Sequence, residues 1–287
     1  MKPLVSVVMA NYNGSKHLED SILSILNQSY KNFELIIIDD GSTDNSLNII
    51  KKLQETDSRV KLIQNTKNLG LAASLNKGIE KSSGCYIARQ DADDISTYNR
   101  LELQLSYIQE HKIDLLGTNV TYIDENSIEI VHEEGPRSES FCEALFSQQA
   151  IFPHGSAIMR KECLLELGGY NEKFIYTQDM ELWLKFLKND KIVSRLSEPL
   201  YKFRLQVDNT SIAKIYGQGA YTKALKKKYL ENMDIDGELD KINSQISNLR
   251  NQKIKRSKIS LYSSYYFSLL KYFLKGLIRY KGYYLYE

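Results

Sequence analysis

The side chains best equipped for chemistry in this chain are aspartates at three places: Asp39-Asp40, Asp91-Ala92-Asp93-Asp94 and Asp179. Asp91 and Asp93 are one residue apart, and an extended backbone projects alternate side chains to one face. Both carboxylates can therefore address one metal ion or one ribose. Carboxylate oxygens suit a hard divalent cation, Mn2+ or Mg2+, which neutralises charge on phosphate groups. The plainer reading of these residues is an acidic turn capping the next helix. Asp39-Asp40-Gly41-Ser42 divides in the same way. Gly41 can make the turn while Ser42 or Asp44 caps the following helix, or a carboxylate can accept hydrogen bonds from a nucleobase or ribose. Asp179 opens an amphipathic stretch and, with Thr177, reads as the cap of that helix. A helix N-terminus there predicts a depressed pKa and an ionised carboxylate.

These side chains need a frame that brings them together. Leu4–Ala10 is an apolar run ending in Asn11-Tyr12-Asn13-Gly14, which reads as a buried strand and a turn. Leu18 to Asn27 then has helical periodicity. Phe33–Ile38 is a second buried strand that runs into Asp39-Asp40. Ser46–Leu53 reads as a helix, Val60–Ile63 as a strand, Ala72–Lys81 as a helix and Tyr86–Ala88 as a short strand leading into Asp91. This alternation predicts an α/β fold, with a mostly parallel central sheet and helices on both faces. Ligands bind such sheets beyond the carboxyl ends of the strands. Both acidic clusters and the Asn11 loop fall at those ends.

Further along, Leu101–His111 reads as a helix, Leu115–Ile123 as a strand and Ile128–Val131 as its hairpin partner. Phe141–Gln149 and Lys161–Leu167 read as short helices, the latter stopped by Gly168-Gly169, and Asp179–Lys188 as a longer one. From about Tyr216 the strands vanish. The chain therefore divides into a catalytic domain over 1–215 and a helical, basic, Tyr-rich C-terminal extension over 216–287. Residues 221–287 carry a net charge of +8 in a chain of net +2, which leaves the body at −6. Within the extension, 259–280 reads as an amphipathic helix with Ser260, Ser264, Ser268, Lys271, Lys275 and Arg279 on its polar face. It can pack on the catalytic domain, lie on an anionic membrane or form a homodimer. Its aromatics face the apolar side and no nucleic-acid-binding motif is present, which speaks against nucleic acid as a partner. A start without a long apolar core and no span of membrane length predict a cytoplasmic chain, with peripheral contact at the inner membrane face as an option. Cys85, Cys142 and Cys163 lack the spacing of a zinc site or disulfide framework.

Taken together the motifs resemble a known series. Val7–Asn13, Ile37–Asp44, Asn68-Leu69-Gly70, Asp91–Asp94, Gly155–Arg160, Leu167–Tyr170 and Gln178–Leu184 stand in the order seen in family 2 glycosyltransferases of the GT-A fold, of the bacterial surface-polysaccharide type. The resemblance spans roughly residues 4–210. It implies an inverting transferase that moves a sugar from a nucleotide sugar, UDP by default, to a hydroxyl of a saccharide or lipid-linked saccharide in polysaccharide biosynthesis. It further implies that Asp40 contacts the base, with Ala10 and Asn11 lining the pocket and Asn68 on the nucleotide side. Asp91 would meet the ribose, Asp93 with its neighbour Asp94 would bind Mn2+ or Mg2+, and Asp179 would act as general base.

Two positions depart from the family's pattern. Gln178 stands where an acid often precedes the catalytic aspartate, and Gln206 where a histidine often contacts metal or phosphate. Arg204 or Lys202 can hold the pyrophosphate instead, or be ordinary surface charges. His154 can line the acceptor pocket or be structural. Trp183 can stack on an acceptor sugar, although its apolar helix face favours core packing. The alternatives from other classes are a nucleotidyltransferase and a non-catalytic sugar- or nucleotide-binding relative.

Overall fold

The fold is known from a computed structural model, which describes residues 3–136, 141–147, 150–205 and 212–251. Gln206 and the amphipathic stretch 259–280 lie outside the described residues.

Apolar, β-branched sequences make β1 (Val5–Asn11), β2 (Phe33–Asp39), β3 (Val60–Gln64) and β4 (Tyr86–Arg89). They pair in parallel in the order β3-β2-β1-β4. The connections are α1 (Ser15–Leu26), α2 (Ser46–Thr56) and α3 (Leu71–Lys81). Because strand residues alternate faces, Val5, Val7 and Met9 enter one core with Leu35 and Ile37 of β2. Leu18, Ile22 and Ile25 of α1, Ile50 of α2 and Leu101, Leu105 and Ile108 of α4 (Arg100–His111) complete that core. The opposite face presents Val8 and Ile38 to α3. A Cβ on Gly78 of α3 would lie 2.6 Å from both side chains. Helices thus cover both faces, as expected.

The second half of the sheet is mixed. β8 (Ile158–Arg160) runs antiparallel to β4 and to β6 (Leu115–Ile123), and β6 runs parallel to β9 (Val193–Arg204). β5 (Ile95–Ser96) closes the far edge against β9, and β7 (Glu129–Glu133) is the hairpin partner of β6. The sheet is therefore all-parallel through β3-β2-β1-β4 and mixed beyond them. β5, β8 and β9 escape the pattern of the sequence. β9 has lost its alternation at Ser197-Glu198-Pro199, where four of its residues bulge opposite the single Asn119 of β6. The amide of Asn119 closes the gap by donating to the Ser197 carbonyl at 2.7 Å.

Among the described residues five more α-helices follow β7, the first four being α5 (Phe141–Phe146), α6 (Lys161–Glu166), α7 (Gln178–Lys188) and α8 (Ile212–Leu230). α6 ends as expected, with Gly168 and Gly169 at φ 76 and 63, a conformation that other residues adopt only at a cost. The expected boundary at 215/216 falls inside α8. Tyr221, Ala224 and Leu225 are fully buried, as is Ile246 of α9 (Asp236–Asn251), so one compact unit runs to Ser247. Residues 248–287 form a second unit, described only as far as Asn251. No helix among the described residues is long and apolar enough to cross a membrane.

The close seat of α3 makes Gly78→Val a direct test. A helix-propensity gain of under about 1 kcal/mol is set against overpacking of about 1–3 kcal/mol. The expected result is a lower denaturation midpoint with an unchanged slope.

Candidate active site

Parallel pairing carries the ends of β1, β2 and β4 to one edge of the sheet, and their loops are pinned to each other there. Asn11 is 2% exposed, and its amide donates to Asp39 Oδ1 and Ser42 Oγ, both at 3.2 Å. Asn13 receives the Thr43 amide at 2.8 Å, and its own N–H reaches Ser42 Oγ at 3.0 Å. Asp44 takes the N–H groups of Ser15 and Ser46, which start α1 and α2. Partial burial pushes the Asp44 carboxyl up, but hydrogen bonds from Ser46 and Ser15 win and bring it down to about 2. Gly41 turns here at φ 76, and a Cβ on it would meet the Lys67 backbone at 2.8 Å. Ala10 lies half-buried just before this loop.

Asp40 is 3% exposed and organises the next loop. Its Oδ1 accepts from Asn65 Nδ2 at 2.8 Å and from the Leu69 amide at 2.9 Å, and its Oδ2 accepts from the Gly70 amide at 2.9 Å. Three of roughly four acceptor positions on the carboxylate are thus occupied. Asn68 is exposed on the same loop. The buried polar partner is Asn65, whose Oδ1 also receives Lys77 Nζ at 2.6 Å.

The three aspartates of residues 91–94 separate into two environments. Asp91 and Asp93 are half-buried, whereas Asp94 is 2% exposed. Asp94 Oδ1 accepts the Arg204 amide at 2.7 Å. Burial, then the charges of Asp93 and Asp91, push its carboxyl well above the usual range. This inward, proton-favouring carboxyl departs from the expected metal ligand. Arg204 likewise departs from a phosphate clamp. Its side chain is buried, with Nε on the Asp93 carbonyl at 2.8 Å, Nη1 on the Asp124 and Glu125 carbonyls and Nη2 on Ser127 Oγ. Lys202 pairs with Glu129 at 2.7 Å.

Asp91 is held from three sides. Arg89 Nη2 meets its Oδ1 at 2.5 Å, its amide donates to Tyr201 Oη at 3.1 Å, and its carbonyl accepts Ser21 Oγ at 2.7 Å. Gly155 packs against this group: a Cβ there would lie 1.8 Å from Tyr201 Oη and 2.7 Å from Asp91 Oδ2. The described residues contain no group of three or more His, Cys, Asp or Glu able to hold a metal ion. Two half-buried carboxylates one residue apart suit Mn2+ or Mg2+ whose remaining ligands are phosphate oxygens and water, and do not make an all-protein cage.

Arg89 also links this group to Asp179. The guanidinium is 1% exposed, and its Nε donates to His154 Nε2 at 3.3 Å. The same ring nitrogen lies 2.7 Å from Tyr170 Oη. Burial first, then the Arg89 charge, holds His154 well below its ordinary pKa, so the ring is neutral. Asp179 sits in the first turn of α7 and takes the Met180 amide at 2.8 Å. Its pKa is nevertheless raised, which overturns the expected depression. Burial outweighs the hydrogen bonds from the Met180 and Asp179 amides, and the Asp91 charge adds to burial while Arg89 opposes it. Thr177 provides no cap: its hydroxyl donates to the Tyr176 carbonyl. A pocket beside Asp179 is lined by Phe152, Met180 and Trp183, with Gln218 and Thr222 of α8. Trp183 is 1% exposed and stacks obliquely on Phe152 at 5.3 Å, so it is chiefly core.

Residues 6–168 match the family described as Glycosyl transferase family 2. The chain belongs to that family. It is 38% identical over 236 residues to an uncharacterized glycosyltransferase of Methanocaldococcus jannaschii, covering 80% of this chain and 81% of that one. It is 34% identical over 189 residues to the Escherichia coli UDP-Glc:alpha-D-GlcNAc-diphosphoundecaprenol beta-1,3-glucosyltransferase WfgD, covering 66% and 72%. The fold is that of S. aureus TarS 1-349, solved in complex with UDP-GlcNAc. That likeness has a TM-score of 0.64 at 20% identity and covers 90% of this chain and 75% of that one. The GT-A expectation therefore holds.

For this glycosyltransferase, the sequence did not reveal that Arg89, Asn65 and Tyr201 join the loops, nor that Tyr170 of the Leu167–Tyr170 motif meets His154. The only local signal was an arginine two residues ahead of Asp91. Gly155→Ala should displace Tyr201 and Asp91, and so weaken nucleotide-sugar binding severalfold while the fold survives. Calorimetric titration with UDP against a circular-dichroism control reads both.

Proposed function

We propose that this chain moves a sugar from a UDP-sugar to a hydroxyl of a saccharide or lipid-linked saccharide, with inversion, in building a cell-surface polysaccharide. The observation that carries the reading is the pairing of Asp91 with Asp179. Asp179 feels the charges of both Asp91 and Arg89, and Arg89 in turn bonds Asp91; in this reading a donor held at Asp91 presents its anomeric carbon beside Asp179. In this reading Asp40 contacts the base through its remaining acceptor position, with Ala10, Asn11 and Asn68 around it, and Asp91 holds the ribose. The name of WfgD supports a UDP-sugar donor and an acceptor on a lipid diphosphate.

The chemistry is one displacement. The acceptor hydroxyl gives its proton to the Asp179 carboxylate as its oxygen bonds to the anomeric carbon. The bond from that carbon to the phosphate oxygen breaks, and nucleoside diphosphate leaves. Attack on the face opposite the leaving group inverts the centre. Asp93, beside Asp91, would hold Mn2+ or Mg2+, and the ion would neutralise charge on the departing diphosphate. Burial raises the Asp179 pKa and strengthens it as a base, while the amide of Met180 and the nearby Arg89 restrain the rise. His154 stays neutral and leaves the base role to Asp179.

Three outcomes follow. Transfer should require Mn2+ or Mg2+, stop with EDTA and be lost in Asp93→Ala, as measured by UDP release with a panel of acceptors. Asp179→Asn should abolish transfer yet keep UDP affinity within about twofold. UDP binding with no transfer to any acceptor would overturn the proposal. The third outcome concerns pH. Activity needs Asp179 deprotonated and its folded pKa is raised, so kcat/KM should fall with decreasing pH at a midpoint above the ordinary aspartate value of about 3.9. The same sign makes the ionised carboxylate a cost to folding above that midpoint. Asp179→Asn should therefore melt no lower than the parent at pH 7.

A further inference from the structure

We infer that Gln218 and Thr222 of α8 are specificity-determining residues for the acceptor, and that the group they read is the acetamido substituent of an amino sugar. The inference rests on the assignment of Asp179 as the base, and it extends that assignment to the pocket that Asp179 lines. Asp179 lines the pocket described above, so an acceptor hydroxyl in reach of its carboxylate places the neighbouring substituent of the sugar ring in that pocket. The lining offers the substituent the apolar side chains of Phe152, Met180 and Trp183. It also offers two polar side chains of α8, Gln218 and Thr222. The Gln218 amide makes no side-chain hydrogen bond among the described residues and is half-exposed, which leaves one donor group and one acceptor free. The Thr222 hydroxyl gives its proton to the Gln218 carbonyl at 2.8 Å, which leaves its oxygen as an acceptor.

A free hydroxyl on the sugar would desolvate against the aromatic side and satisfy only part of the polar side. An acetamido group matches both, with its methyl on Phe152 and Trp183 and its N–H and carbonyl on Gln218 and Thr222. Its geometry is stable because α8 is fastened to α7. Glu181 is fully buried, with Oε2 3.2 Å from Lys185 Nζ and Oε1 3.6 Å from Lys228 Nζ of α8. Thr222 Oγ1 lies 3.8 Å from Met180 Sδ, and the Ile175 amide donates to Tyr221 Oη at 3.3 Å. α8 lies beyond the stretch 6–168 matched to the family, so its pocket-facing residues belong to a part of the chain that the family match leaves open.

The test uses the full chain saturated with UDP. Saturation-transfer NMR compares p-nitrophenyl 2-acetamido-2-deoxy-glycosides with the parent glycosides, in the gluco and galacto series. The expected result is binding of an acetamido sugar about tenfold tighter than its hydroxyl counterpart, with the strongest saturation at the acetamido methyl. Gln218→Ala should remove most of that difference and leave UDP affinity unchanged. Thr222→Val, which keeps the side-chain shape, should reduce it in part. Equal binding of the two sugars by the parent chain, or a preference that survives both substitutions, would overturn the inference. Binding is read without turnover. A chain that shows the preference but transfers no sugar would therefore count against the proposed activity and still support the pocket assignment.

Discussion

A buried guanidinium has to find a partner for each of its donors, and the site is arranged around that requirement at Arg89. Nη1 reaches the carbonyls of Val8 and Gln90 at 2.8 and 2.9 Å, Nη2 reaches Asp91 and Nε reaches His154. Those partners come from β1, from the end of β4 and from the short turn His154–Ser156. An unpaired charge in such a place would cost several kcal/mol, so the three segments are bound to one arrangement. Asp91 takes its direction from this arrangement. Arg100 repeats the device one layer deeper, with its guanidinium on the Arg89 carbonyl at 2.8 Å and on Ser96 Oγ at 2.8 Å.

Around the same arginine, one small region holds carboxylates in different environments. Asp91, Asp94 and Asp179 all lie near it or near one another, and their environments differ. Asp91 meets the guanidinium directly. Asp94 is shut in against the Arg204 amide, where burial and two like charges favour its protonated form. Asp179 is pushed up by burial and by Asp91, and pulled down by two backbone amides and by Arg89. Pairs of acids with environments that separate them are the usual mark of divided roles in proton transfer.

A second set of bonds holds the neighbouring loops without any charge-charge pair. Asn11, Asn13, Ser42 and Asp44 tie the ends of β1 and β2 together, and Asp40 ties the following loop to β2 through Asn65 and the amides of Leu69 and Gly70. Polar side chains acting on backbone amides restrain these loops without adding apolar surface there. Gly41 permits the close approach of the two loops, since any side chain there would strike the Lys67 backbone.

What the sequence determined by itself is local. Hydrophobic period, turn glycines and strand-end aspartates marked β1 to β4, α1 to α3 and the carboxylates at their ends, because each depends on a few neighbouring residues. Asp40, Asp91, Asp93 and Asp179 were visible for that reason, and the family resemblance arranged them in order. The tertiary structure decided the rest. β9 lost its alternation to a bulge that only its partner β6 explains, and β8 is too short to show a period. The burial of Asp94 and Arg204 came from a contact across 110 residues. The raised pKa of Asp179 reversed the local expectation because the helix terminus acts over one turn, whereas desolvation comes from everything packed around it. The boundary near 215 moved to Ser247 for the same kind of reason, since the buried faces of α8 and α9 find their partners in the catalytic unit and not in each other alone.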